Sequence, residues 1–172
     1  MRRPWIALWA MTLLFGCGDE YPVRPGGGAD IPSALRLVPA NTMTSLGSEF
    51  TARVEVVDAQ ELFGIAFEVT YDASLLELVS VSAGSALGGD VLFFEESDLG
   101  RISVAVTKKR GAAALTGSGT VASLRFRAVG AGRSNLSFDQ PSVEPAGDDG
   151  LVVSNIERFV VQSGSVNVLQ GE

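Results

Sequence analysis

From Leu35 onward, apolar and polar residues alternate with a period of two, a rhythm that admits β-strands and little else. Phe50, Ala52, Val54 and Val56 point one way while Thr51, Arg53 and Glu55 point the other. The same alternation runs through Ile65, Phe67, Val69 and Tyr71, through Ile102, Val104 and Val106, and through Leu124, Phe126 and Ala128. Leu136 and Phe138 follow a turn at Gly130-Ala131-Gly132, and Phe159-Val160-Val161 and Val166-Asn167-Val168 flank another at Ser163-Gly164-Ser165. Strands that bury one face and wet the other predict an all-β fold, a two-sheet antiparallel β-sandwich of about nine strands over 34–170. Helical spacing is nearly absent. One short turn is expected at Asp72-Ala73-Ser74-Leu75-Leu76, with Asp72 as its cap.

The first residues follow a different logic. Met1-Arg2-Arg3 makes a positive start, and Trp5 to Phe15 is an apolar run broken only by Thr12. A membrane-spanning helix needs about 20 residues, so this run has instead the length and flanks of an export signal. Leu14-Phe15-Gly16-Cys17 resembles a bacterial lipobox, and Cys17 is the single cysteine of the chain. Residues 1–17 are therefore expected to be a lipoprotein signal peptide, with lipid on the Cys17 thiol and, after cleavage, on its amine. Several acyl chains anchor stably where one binds only marginally. Gly18 rather than Asp after the cysteine fits an outer membrane lipoprotein in the envelope of a Gram-negative bacterium, facing the periplasm or the cell surface. Residues 18–33, with Pro22, Pro25, Gly26-Gly27-Gly28 and Pro32, read as a flexible tether.

Composition excludes whole classes of chemistry. With no histidine there is no Ser-His-Asp or Cys-His machinery and no imidazole metal ligand. A lone cysteine rules out an internal disulfide and a thiolate zinc cluster. The whole chain carries −7, and removing Arg2 and Arg3 leaves 11 basic residues against 20 acidic ones, or −9. Such a balance argues against nucleic acid as a partner. Asp148-Asp149, with Asp139 and Glu144 nearby, lacks the Asp-x-Asp-x-Asp-Gly ladder and reads as a solvated acidic loop, since calcium takes about six to eight oxygens. No carboxylate pair marks a glycosidase. Trp5 and Trp9 both lie in the signal segment, so no tryptophan remains for a flat sugar platform. No enzyme activity, cofactor or metal site is expected.

The stretch Gly64-Ile65-Ala66-Phe67-Glu68-Val69-Thr70-Tyr71-Asp72-Ala73-Ser74-Leu75-Leu76-Glu77-Leu78 resembles the cohesin signature, a strand ending in Tyr-Asp, a small turn and an aliphatic lead into the next strand. Gly119-Thr120-Val121-Ala122-Ser123-Leu124-Arg125-Phe126-Arg127-Ala128 resembles the family's Gly-x-aliphatic-Ala-x-aliphatic-x-Phe strand. Leu136-Ser137-Phe138 and the closing Gly164-Ser165-Val166-Asn167-Val168 fit as well. The resemblance implies a jelly-roll sandwich related to family 3 carbohydrate-binding modules. It also implies a binding module whose partner is a dockerin, a small module that carries the calcium itself. Cohesins offer one sheet face, through outward residues of their third, fifth and sixth strands. Here those would be Gly64, Ala66, Glu68 and Thr70, then Leu92 and Phe94, then Arg101, Ser103, Ala105 and Thr107. Gly64 and Ala66 stand where cellulosomal cohesins often carry Asn and Asp, and Lys108-Lys109-Arg110 stands where an acidic loop is common. Lost hydrogen bonds and reversed charge argue for a divergent, dockerin-like partner.

Two features are expected to shape that face. Val91-Leu92-Phe93-Phe94 is apolar on both sides, so one phenylalanine should leave the core and form a patch beside Ala66 and Ala105, unless a loop or the strand's own curvature covers it. Lys108-Lys109-Arg110 is read either as a dock for an acidic partner or anionic lipid, or as a solvated hairpin tip paired with Glu95, Glu96 and Asp98. The runner-up function is a carbohydrate-binding module that assists polysaccharide binding or breakdown, and a third is a purely structural envelope lipoprotein. A row of outward aromatics would favour sugar, whereas an apolar centre with a charged rim would favour protein.

Overall fold

The computed structural model describes residues 33–139 and 160–170. Cys17 and its lipobox, the tether up to Pro32, and the acidic residues Glu144, Asp148 and Asp149 lie outside the described residues. Within them the chain forms eleven strands: β1 (Ala34–Val38), β2 (Asn41–Ser45), β3 (Glu49–Leu62), β4 (Gly64–Thr70), β5 (Leu76–Ala83), β6 (Val91–Asp98), β7 (Arg101–Lys108), β8 (Leu115–Ala128), β9 (Gly132–Asp139), β10 (Val160–Gln162) and β11 (Gly164–Leu169). They assemble into two sheets, one ordered β10-β1-β3-β8-β5 and the other β2-β11-β9-β4-β7-β6. The fold is the all-β sandwich that the alternation predicts.

The alternation sets which side chains meet. Val54 and Val56 of β3, Ile65, Phe67 and Val69 of β4, Ile102, Val104 and Val106 of β7, and Leu124 and Phe126 of β8 are all buried between the sheets. Phe126 is fully enclosed, stacked on Phe50 at 5.5 Å and met edge-on by Tyr71 at 5.2 Å. Asp72 shapes the expected turn. Its Oδ1 accepts from the Ser74 amide (2.9 Å) and hydroxyl (2.6 Å), and its carbonyl accepts from the Leu75 and Leu76 amides.

Two details depart from the expected sandwich. Pairing is antiparallel except at β1–β10 and β2–β11, which are parallel, so both sheets are mixed. The chain changes sheets between β1 and β2 and again between β10 and β11, and these two crossings run side by side: the Ser165 amide donates to the Ala40 carbonyl at 2.8 Å. The strand count exceeds nine because polar segments such as β2, where Thr44 alone is buried, pair through the backbone without an apolar face.

Two carboxylates are held below their ordinary range. Hydrogen bonds from the Ser74 hydroxyl and amide lower Asp72, and Arg127, then Arg125, lower Glu49. A carboxyl whose folded pKa is depressed stabilises fully above its unfolded value and loses that contribution as pH falls through the folded one. The melting temperature is therefore expected to hold from pH 7 to about 5 and to fall below about pH 4.5. Melting curves of D72N and E49Q should start lower at pH 7 and fall less steeply in acid. Variants that track the parent at every pH would refute the assignment.

Candidate functional site

The two sheets turn unlike faces outward. On β1, β3, β8 and β5 the outer face is a ladder of paired charges: Arg36–Glu55 at 3.1 Å, Arg53–Glu55 at 3.4 Å, Arg125–Glu49 at 2.6 Å, Arg127–Glu49 at 2.9 Å and Arg127–Glu77 at 3.3 Å. Exposed pairs of this kind contribute little stability, but they leave this face self-satisfied.

On β4, β7 and β6 the registers build a different surface. Antiparallel pairing aligns Gly64, Thr107 and Leu92 in one row, then Ala66, Ala105 and Phe94. The next rows are Glu68, Ser103 and Glu96, then Thr70, Arg101 and Asp98. Phe93 packs against the core, and Phe94 turns outward with 62% of its surface exposed, beside the half-exposed Leu92. The alanines add only methyl groups next to the Phe94 ring, so a hollow of about 450 Å³ opens along that row. Its polar rim includes Glu68, Glu96 and Ser103. Glu68 is tied down by Arg101 Nη1 at 3.2 Å and by the Ser103 hydroxyl at 3.3 Å. Thr70 donates its hydroxyl to the Ser137 carbonyl at 3.3 Å. The apolar centre and polar rim expected of a protein interface stand together here.

Gly64 presents no surface of its own. It is buried, and a Cβ at this position would lie 2.8 Å from Thr107 Oγ1 and 2.9 Å from Thr107 Cβ. Thr107 thus covers the place where a longer side chain would stand, and packing keeps this position a glycine. No sequence pattern signals that close approach.

The basic cluster and the acidic run do not meet, contrary to the expected pairing. The tip of the β6–β7 hairpin is Leu99-Gly100, where Gly100 takes a φ of +82°, and the pairing sets Asp98 opposite Arg101 but Val91 opposite Lys108. Along the eight-residue β7, Lys108 stands roughly 13 Å from the position opposite Glu95 and roughly 23 Å from that opposite Asp98. Lys108 closes β7 with its amide on the Phe63 carbonyl, and Lys109 bonds Asp90 through its amide (3.0 Å) and its Nζ (3.6 Å). Arg110 is exposed beyond them. Lys108-Lys109-Arg110 therefore flanks the Gly64–Thr107–Leu92 end of the face, at the open end of the hairpin. Among the described residues no three His, Cys, Asp or Glu side chains converge into a metal site.

The model of the cohesin domain matches residues 37–168, most of the chain. The chain belongs to the cohesin family. Solved structures share the cohesin fold at low identity. A type II cohesin from the cellulosome of Acetivibrio cellulolyticus is 23% identical, with a TM-score of 0.66 over 78% of this chain and 95% of its own. The third cohesin of ScaC from the same organism, solved in complex with the ScaB dockerin, is 16% identical, with a TM-score of 0.63 over 80% and 99%. A non-cellulosomal cohesin from the archaeon Archaeoglobus fulgidus is also 16% identical, with a TM-score of 0.61 over 80% and 91%. No curated protein matches this cohesin.

Proposed function

We propose that this cohesin is a non-catalytic binding module that captures a calcium-loaded, dockerin-like protein on the β4–β7–β6 face. Lipid on Cys17 would hold it at the cell envelope. The observation that carries the reading is the row Ala66–Ala105–Phe94, one proud aromatic beside two methyl groups inside a polar rim. Related cohesins in solved complexes with dockerins support the class of partner. Phe94 is the one exposed aromatic among the described residues, whereas a polysaccharide platform needs several in a row. The partner differs from an ordinary dockerin in what it must bring. It needs an apolar side chain for the hollow and acidic groups for Lys108 and Arg110, and it has no Asn or Asp to meet at positions 64 and 66.

The immobilised full-length chain, titrated with a panel of purified dockerins from the same genome, tests this reading. Binding is expected in calcium and not in EDTA, because the dockerin carries the metal. F94A should weaken it at least tenfold. If no dockerin binds in calcium while polysaccharide gels retard the chain, the carbohydrate reading replaces this one.

A further inference from the structure

A second hollow, of about 360 Å³, opens at the other end of the same sheet face, where β2, β11 and β9 lie side by side. Among the described residues its lining carries amides, hydroxyls and one guanidinium, and no carboxylate. Asn41, Ser165 and Asn135 form a row across the three strands, and Arg133 stands in the neighbouring row. The side chains are already wired together. Arg133 Nη2 donates to Ser165 Oγ at 3.3 Å, and Ser165 Oγ donates to Asn41 Oδ1 at 2.9 Å. This chain uses the serine's one hydrogen and engages the Asn41 carbonyl, so within that trio the unused groups are chiefly donors, the Asn41 amide N–H groups and the remaining guanidinium N–H groups, while Asn135, Ser137 and Ser163 offer both donors and acceptors.

Arg133, like Arg110, also differs electrostatically from the other described arginines. Arg36, Arg53, Arg101, Arg125 and Arg127 each lie within 3.4 Å of a glutamate. Arg133 has no carboxylate partner among the described residues, although the chain is acidic overall. A donor-rich, cationic hollow calls for an oxyanion, and a guanidinium suits a carboxylate through paired N–H bonds. Amide and hydroxyl groups, rather than an apolar centre, surround that charge. This suits a ligand rich in hydroxyls better than a peptide, whose recognition relies on an apolar core. The volume falls within the usual range of small-ligand sites.

We propose that this hollow binds a uronic acid residue of an acidic polysaccharide, with the carboxylate on Arg133 and hydroxyls on Asn41, Asn135 and Ser165. The site is independent of the partner face. Asn135 and Phe94 are on the order of 20 Å apart across the sheet, so both can be occupied at once.

The test is an NMR titration of the full-length chain with three probes: a galacturonate oligomer, a neutral glucose oligomer of equal length, and a short glutamate peptide. Galacturonate alone is expected to shift the Asn41 and Asn135 side-chain amide signals. R133Q should weaken that response at least tenfold without changing the melting temperature, and F94A should leave it intact. Absence of any shift with galacturonate at about 10 mM, or an equal response in R133Q, overturns the proposal. Equal binding of the glutamate peptide also overturns it and assigns the hollow to acidic peptides. Dockerin capture is read separately, so failure of one site is distinguishable from failure of the other.

Discussion

Replacing Ala105 with arginine is expected to lower affinity for the dockerin-like partner by at least a hundredfold while leaving the fold unchanged. Ala105 sits at the centre of the outward row, between Ala66 and Phe94, and lines the hollow there. A guanidinium at that point fills the space that a partner's apolar side chain would occupy. Its charge must also be desolvated under a bound partner, a cost that the nearby rim carboxylates Glu68 and Glu96 offset only in part. A hundredfold corresponds to about 2.7 kcal/mol. The new side chain projects outward from β7, so surface-type effects within about 0.5 kcal/mol are expected on stability. Titration calorimetry beside a thermal melt separates the two quantities. Binding that survives A105R with parental affinity would place the partner on another face.

Truncating Phe126 to alanine should produce the largest loss of stability of any single change on β8. The ring is fully buried, stacked on Phe50 and met by Tyr71, on a strand held between β3 and β5. Removing a buried phenylalanine loses its transfer free energy and leaves a cavity that neighbouring strands fill only in part, about 3–5 kcal/mol together. That is a large fraction of the roughly 5–15 kcal/mol that keeps a domain folded. Urea unfolding checks the figure, with F94A as the contrast, because an exposed ring should cost under about 1 kcal/mol. A loss below 1 kcal/mol for F126A would mean that its surroundings collapse around the gap.

The contrast between these two phenylalanines shows what the sequence makes readable. Strands with one wet and one dry face write their orientation in alternation, so 50–56, 65–71, 102–106 and 124–128 were readable residue by residue. Phe94 was readable because two adjacent phenylalanines on one strand cannot both face the core. β2 was not, because Asn41-Thr42-Met43-Thr44-Ser45 has no apolar face and owes its place to backbone hydrogen bonds with β11. Strand direction is equally silent in a period-two pattern, so the parallel edges at β1–β10 and β2–β11 carried no signal. The supposed meeting of Asp98 with Lys108 failed for a related reason: nearness in sequence does not survive an intervening extended strand. The glycine at position 64 was visible as a departure from the family pattern, but its cause, the side chain of Thr107 lying over it, belongs to cross-strand packing.

The placement of β11 between β2 and β9 sets an order on folding itself. Among the described residues β2 has no other strand partner, and its hydrogen-bonded contact from Asn41 to Ser165 spans 124 positions. Contacts so distant in sequence slow the search for the native state. Until residues 164–169 have been synthesised, β2 lacks its neighbour and β9 exposes an edge open to other strands. The last of the described strands in chain order is thus the one that closes the sheet, and a chain cut before residue 164 would remain open to aggregation and proteolysis.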